Sequence, residues 1–285
     1  MDSLDMNSKK SLHIRSNSLP SKPHPIVAQV DENLCRLKSS EATSSTSSLC
    51  HRLSGLQDLH DSIDKLLLLP CTQKNLVHES GNKWADDLLE GSLRLLDLCD
   101  IAKNALLQTR ECTHELESVL RRRRTETIIT SDLQKCFNSR KMIKKTVHKA
   151  LKGIKSRSSQ KSEESSATVS LLKEVEAITY STVESVLSFV AGPKLPSKLS
   201  RWSLISKLVQ SKRVASIDED ANTNEVEMVD TTLNSIASHT TDKSFNLQDL
   251  LRKFGSSIQD LEEDLESLYR HLIRSRVSLL NILNN

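Results

Sequence analysis

Near the end of the chain Leu247, Leu251, Phe254, Ile258, Leu261, Leu265, Leu268 and Leu272 step alternately by four and three. That spacing returns an apolar side chain to one helical face for about four heptads, and no strand period fits it. A seam of this length has to be covered by other helices or by a second copy of itself, so it dictates a bundle. Gly255 weakens it by about 1 kcal/mol relative to Ala. The predicted helix runs from about Leu247 to Leu283, and self-association through 247–283 stays open.

The same spacing recurs upstream. Ile26, Val30, Leu34 and Leu37 form one stripe, and Leu49, Leu53, Leu56, Ile63 and Leu67 another. A long helix is predicted from about Asn82 to Arg124. Its seam is Trp84, Leu88, Leu95, Leu98, Ala102, Ala105, Cys112, Leu116 and Val119, with Gly91 and Thr109 as weak positions. Further helices are predicted near Ile128–Ile154, with Phe137, Ile143, Val147, Ala150 and Ile154 inward, near Thr168–Val190 and near Val226–Ile236. Aromatic residues are only 3% of the chain, with six Gly and six Pro. Sandwiches, barrels and aromatic pockets need more of them. The fold class is therefore all-α: an elongated bundle of long antiparallel helices preceded by a disordered N-terminal arm. Residues 1–25 form the arm and 26–285 a helical-bundle domain, with flexible linkers near 156–167, 191–199 and 211–225.

One segment resists an easy reading. Ser39 to Ser48 holds six Ser and two Thr, the composition of a linker. The second stripe, however, extends backward onto Thr46 and Ala42, which are small and uncharged. The spacing predicts a helix from about Glu41 to Leu69, with Ser40 as its cap and the break at Ser39–Ser40. After Pro70 a short turn containing "ESGN" is expected.

The net charge of +3 conceals a separation. Arg121 to Arg157 holds thirteen Lys/Arg against two acids, and Asp218 to Glu266 thirteen acids against three bases. Either the two regions attract each other within the bundle, or one is a face for a charged partner. The six cysteines form no CxxC pair, and the first twenty residues contain no apolar signal core. Reduced, mostly buried thiols and a cytoplasmic protein are expected, with nuclear entry or peripheral membrane attachment as alternatives. No apolar run approaches the roughly 18 residues needed to span a bilayer.

Catalytic chemistry is not visible. Phosphate-cradling loops need clustered glycines, and these are scattered. Cys112 with His114, and Cys50 with His51, lack a second pair at zinc spacing. No catalytic residue, metal or cofactor is predicted, and the chain reads as a non-enzyme. Three features point to contacts instead. "RSNSLP" places Arg15 three residues before Ser18 and Pro20 two after it. Once phosphorylated, that pattern suits the Arg-lined groove of 14-3-3 proteins. Arg121, Arg122, Arg123 and Arg124 either complement a helix C-terminus or form a nuclear-import or polyanion patch. Trp202, Ile205, Leu208 and Val209 share a face opposed by bases, a membrane or partner helix or else a packed segment. "KRVAS" makes Ser216 a second phosphosite. Nucleic acid is not expected as a partner, because no aromatics interleave with the basic residues.

"HIRSNSLPSKPHP", "VDENLCRLKSSEATSSTSSLCHRLSGLQDLHDSIDKLLLLP", "WADDLLEGSLRLLDLCDIAKNALLQ" and "ELESVLRRRR" resemble a plant-specific helical family grouped with the BYPASS proteins. The resemblance covers about residues 11–283 and is strongest through Arg124. It implies a plant source, no known catalytic activity and no established cofactor. Its namesakes are associated with root and shoot development, through restraint of a root-derived mobile signal. The expected function is a non-catalytic developmental regulator acting through protein contacts, gated by phosphorylation. The alternative is a peripheral, anionic-lipid-binding helical protein that uses Arg140–Lys155 or the Trp202 segment.

Overall fold

Helical periodicity becomes packing in the structure, a computed structural model that describes residues 24–40, 45–78, 84–122, 126–155, 166–192, 224–237 and 244–284. Among these residues the elements are all helices: α1 (Pro25–Ser39), α2 (Thr46–Leu67), α3 (Pro70–His78), α4 (Trp84–Arg121), α5 (Glu126–Lys155), α6 (Ala167–Ala191), α7 (Glu225–Ala237) and α8 (Ser244–Leu283). The arm before His24 lies outside the described residues, as do the segment holding Trp202 and the linkers near 156–167, 191–199 and 211–225, except that 166–167 and 191–192 belong to the ends of α6 and 224–225 to the start of α7.

Helix α8 is the spine. All eight residues of its predicted seam are at most 4% exposed. They pack chiefly on α4 and α2. Contact register gives the directions. Ser92, Lys103, Arg110 and Glu117 of α4 meet Arg276, Glu266, Glu262 and Arg252, so α4 and α8 are antiparallel. Gln57 and Asp64 of α2 meet Asp264 and Ser275, so α2 runs parallel to α8. Helix α1 folds back on α2, α5 on α4, and α6 packs on α4 and α5. The seam of α4 is buried as its spacing predicts, except that Val119 is only half-buried. Gly91 leaves the space that the Glu176 carboxylate of α6 occupies, where a Cβ would displace that side chain.

The caps explain the boundaries. Pro25 starts α1 at a position whose N–H has no helical acceptor. Helix α6 starts at Ser166, whose Oγ accepts the Val169 N–H at 3.4 Å, and ends at Gly192 with φ 67°. Helix α2 corrects the reading of the Ser/Thr run. The break does fall at Ser40, but Ser40 closes α1 in extended backbone instead of opening α2. The cap is Ser45, whose Oγ accepts the Ser48 N–H at 3.3 Å. The Glu225 carboxylate accepts the Thr46 N–H at 3.2 Å and adds negative charge at the positive helix end. Thr46 itself is buried, as the extended stripe predicts.

Two further expectations change. The stretch after Pro70 forms helix α3 to His78, because Pro70 occupies a permissive first turn and Leu76 buries inward. The thiols are not all free and mostly buried. Cys112 and Cys136 form a disulfide between α4 and α5, and Cys35 and Cys71 are exposed. Two neighbouring seams each carry a cysteine at the same level, with Cα atoms 5.6 Å apart, within the usual range for a bridge.

Candidate functional site

Helix α5 divides its basic residues between two environments. Leu133, Cys136, Arg140, Ile143 and Val147 form its buried face, so a cation sits within the apolar seam. Its position requires partners, because a buried unpaired charge costs several kcal/mol. Arg140 donates from Nε and Nη2 to the two carboxylate oxygens of Asp230 on α7, each at 3.1 Å, and from Nη1 to the Val190 carbonyl at 3.1 Å. Lys144, one turn on, donates to Asp230 Oδ2 at 2.7 Å. Burial pushes the Asp230 carboxyl up, and Arg140 and then Lys144 more than offset this, holding it below the usual carboxylate range. A cavity of about 10 Å³, no more than about one water, lies beside the pair against Cys136 and Phe254.

The other face of α5 is open. Lys141, Lys145, Lys149 and Lys152 are exposed at spacings of four, four and three, which align them along one stripe. Among the described residues none of the four has an ion-pair partner. Met142 lies beside them at 60% exposure. The acids of α8 are engaged elsewhere: Glu262 with Arg110 at 3.0 Å, and Glu266 with Lys103 and Arg270. Among the described residues, the acidic and basic regions meet in ion pairs only where Asp230 faces Arg140 and Lys144.

Two further buried groups lie on α6 contacts. Thr179 Oγ1 donates to the Val175 carbonyl at 2.7 Å, so it can only accept from His60 Nε2 at 3.1 Å. His60 is then the Nε2–H tautomer. Burial, and next the charge on His271, pull its pKa down to about 3. Glu176 lies against Gly91. Burial pushes its carboxyl up to about 7, with Arg94 and Lys173 pulling back and Asp87 adding to it.

Of the residues singled out in the sequence, Arg121 and Arg122 are described. Arg121 donates to Glu117 Oε1 at 2.7 Å, an ion pair one turn apart at the end of α4, and Arg122 is exposed. Arg15, Ser18, Pro20, Arg123, Arg124, Trp202, Ile205, Leu208, Val209 and Ser216 lie outside the described residues. The exposed lysines were legible as charge. Their separation from Arg140 and Lys144 was not, because it depends on Asp230, which is ninety residues away from Arg140. Among the described residues no helix is long and apolar enough to cross a membrane.

The family described as Protein BPS1 matches residues 52–282. No curated protein and no solved structure matches the chain.

Proposed function

Since the chain belongs to the BPS1 family, we propose that it is a non-catalytic plant regulator of root and shoot development that acts by binding other proteins. The observation that supports this reading is the exposed stripe Lys141, Lys145, Lys149 and Lys152 on α5, which has no ion-pair partner among the described residues. Helical cations held apart from the bundle's own acids are available to an acidic partner surface, which they attract over about a Debye length. The phosphorylatable arm, with Arg15, Ser18 and Pro20, supplies gating: a phosphate at Ser18 recruits 14-3-3 proteins, and one at Ser216 adds charge to a second segment.

Proximity labelling in plant tissue tests the reading. The wild-type chain is compared with a variant carrying Glu at Lys141, Lys145, Lys149 and Lys152, both checked for helicity by circular dichroism. The variant should lose a defined set of acidic neighbours. An unchanged set removes α5 as the contact surface. Pull-down with and without Ser18→Ala tests the gate, and equal recovery of 14-3-3 protein sinks it.

A second reading rests on Met142, an apolar side chain exposed among the lysines. A stripe of bases with an apolar residue suits an anionic bilayer surface. Flotation of the chain with liposomes containing anionic lipid, and with neutral ones, separates the two readings. Absence from both floating fractions eliminates the membrane.

A further inference from the structure

Where α2 meets α8, we propose that Asp61, Asp64 and His271 bind a divalent cation of the zinc class. The proposal is independent of the lysine face. Asp61 and Asp64 are three residues apart on α2 and so share a helix face. The parallel course of α8 sets His271 opposite both. His271 Nδ1 is 3.6 Å from Asp61 Oδ1 and 3.7 Å from Asp64 Oδ2, and the three donor atoms all lie within 4.8 Å of one another. These separations are too long for hydrogen bonds. They suit a shared metal, because ligands about 2.1 Å from a tetrahedral zinc lie about 3.4 Å apart.

Two observations take the cluster beyond a chance grouping of acids. His271 is only 9% exposed, yet among the described residues its Nδ1 has no hydrogen-bond partner, and it faces the two carboxylates. A buried nitrogen aimed at anions without a bond is an unmet demand. In addition, Asp64 is already oriented. Ser275 Oγ donates to its Oδ1 at 2.7 Å, which leaves Oδ2 toward His271, the arrangement of an outer hydrogen bond that aims a ligand.

The residue that fills this role in the structure is Arg274. Its Nη1 lies 3.3 Å from Asp64 Oδ2 and 3.9 Å from Asp61 Oδ1. The side chain is 58% exposed, so it can swing into solvent when a cation with twice its charge arrives. Asp61 is 54% exposed and opens the site to water, which gives an entry path and a fourth ligand. Three protein donors, one of them an imidazole, select zinc over calcium or magnesium, which prefer oxygen-only shells. The bound ion would clamp α2 to α8.

The test is calorimetric titration of the chelator-treated full chain with zinc chloride, in a Cys35→Ser/Cys71→Ser background that removes the exposed thiols. One equivalent should bind. Asp61→Asn, a half-exposed change that leaves the core intact, should weaken binding by about tenfold or more, and His271→Gln likewise. Arg274→Ala should tighten binding, because it removes the competing cation. Cobalt substitution should give a visible spectrum without a thiolate band. Absence of binding, or affinity indifferent to Asp61→Asn and unimproved by Arg274→Ala, overturns the proposal.

Discussion

Arg140 is an arginine at a seam position, and its cost is hidden only while Asp230 is present. Arg140 is 7% exposed, and its guanidinium is satisfied by two oxygens of Asp230 and one of Val190. Truncating Asp230 removes two of those three acceptors and strands both Arg140 and Lys144. Removing one member of a buried pair typically costs about 3–5 kcal/mol. Asp230 retains 19% side-chain exposure, so the lower end is expected, about 3 kcal/mol. Replacing both residues, as in Arg140→Met/Asp230→Leu, should recover part of that loss, since an apolar pair demands no acceptor, although Lys144 and the Val190 carbonyl still lose their partners. Urea unfolding of the two variants measures this. If Asp230→Ala and the double variant are equally unstable, the pair holds helix position and not charge.

At the scale of the helix, much was legible. The eight seam residues of α8 and the small-residue seam of α4 follow from spacing alone, because each apolar position answers to a period and to no particular partner. Features that depend on a partner were not legible. The start of α2 has its local cap in Ser45, but the Glu225 carboxylate that joins it comes from 179 residues away, and Arg140 reads as one more base in a run until Asp230 is placed beside it. Asp61 and Asp64 are unremarkable surface acids until a parallel helix sets His271 against them. The disulfide belongs to this group, since Cys112 and Cys136 sit in two separate seams. It closes a loop of 24 residues across the α4–α5 hairpin. Limiting the unfolded chain in this way contributes about 3 kcal/mol. The Cys112→Ala/Cys136→Ala variant should therefore unfold about 3 kcal/mol more easily. Dithiothreitol should lower the wild-type midpoint and leave the variant's unchanged. A wild-type midpoint indifferent to reductant would mean that the two thiols are unbridged.

Across the whole molecule, two buried titrating groups oppose each other as pH changes. Glu176 ionises near 7 in the fold and near 4.3 in the unfolded chain. Between those values the folded form keeps a proton that the unfolded form has lost, so this group's contribution to stability falls as pH rises. His60 behaves oppositely. It protonates near 3 in the fold and near 6.5 when unfolded, so across that window the unfolded chain holds the extra proton and stability rises with pH. From about pH 4.3 to 6.5 the two slopes offset, each bounded by about 1.4 kcal/mol per pH unit. Glu176→Gln keeps the shape against Gly91 and removes one slope. Taking the difference between variant and wild type cancels the other ionisable groups, provided that they do not couple to this site. The variant should be indistinguishable from wild type near pH 4 and gain stability progressively. By pH 7.5 the gain should be on the order of 2 kcal/mol, since partial solvent access to the carboxylate reduces the full linkage value. Urea midpoints at four pH values between 4 and 7.5 measure it. A difference that stays level across them would mean that the carboxylate meets water at Gly91 and that the α4–α6 contact is open there.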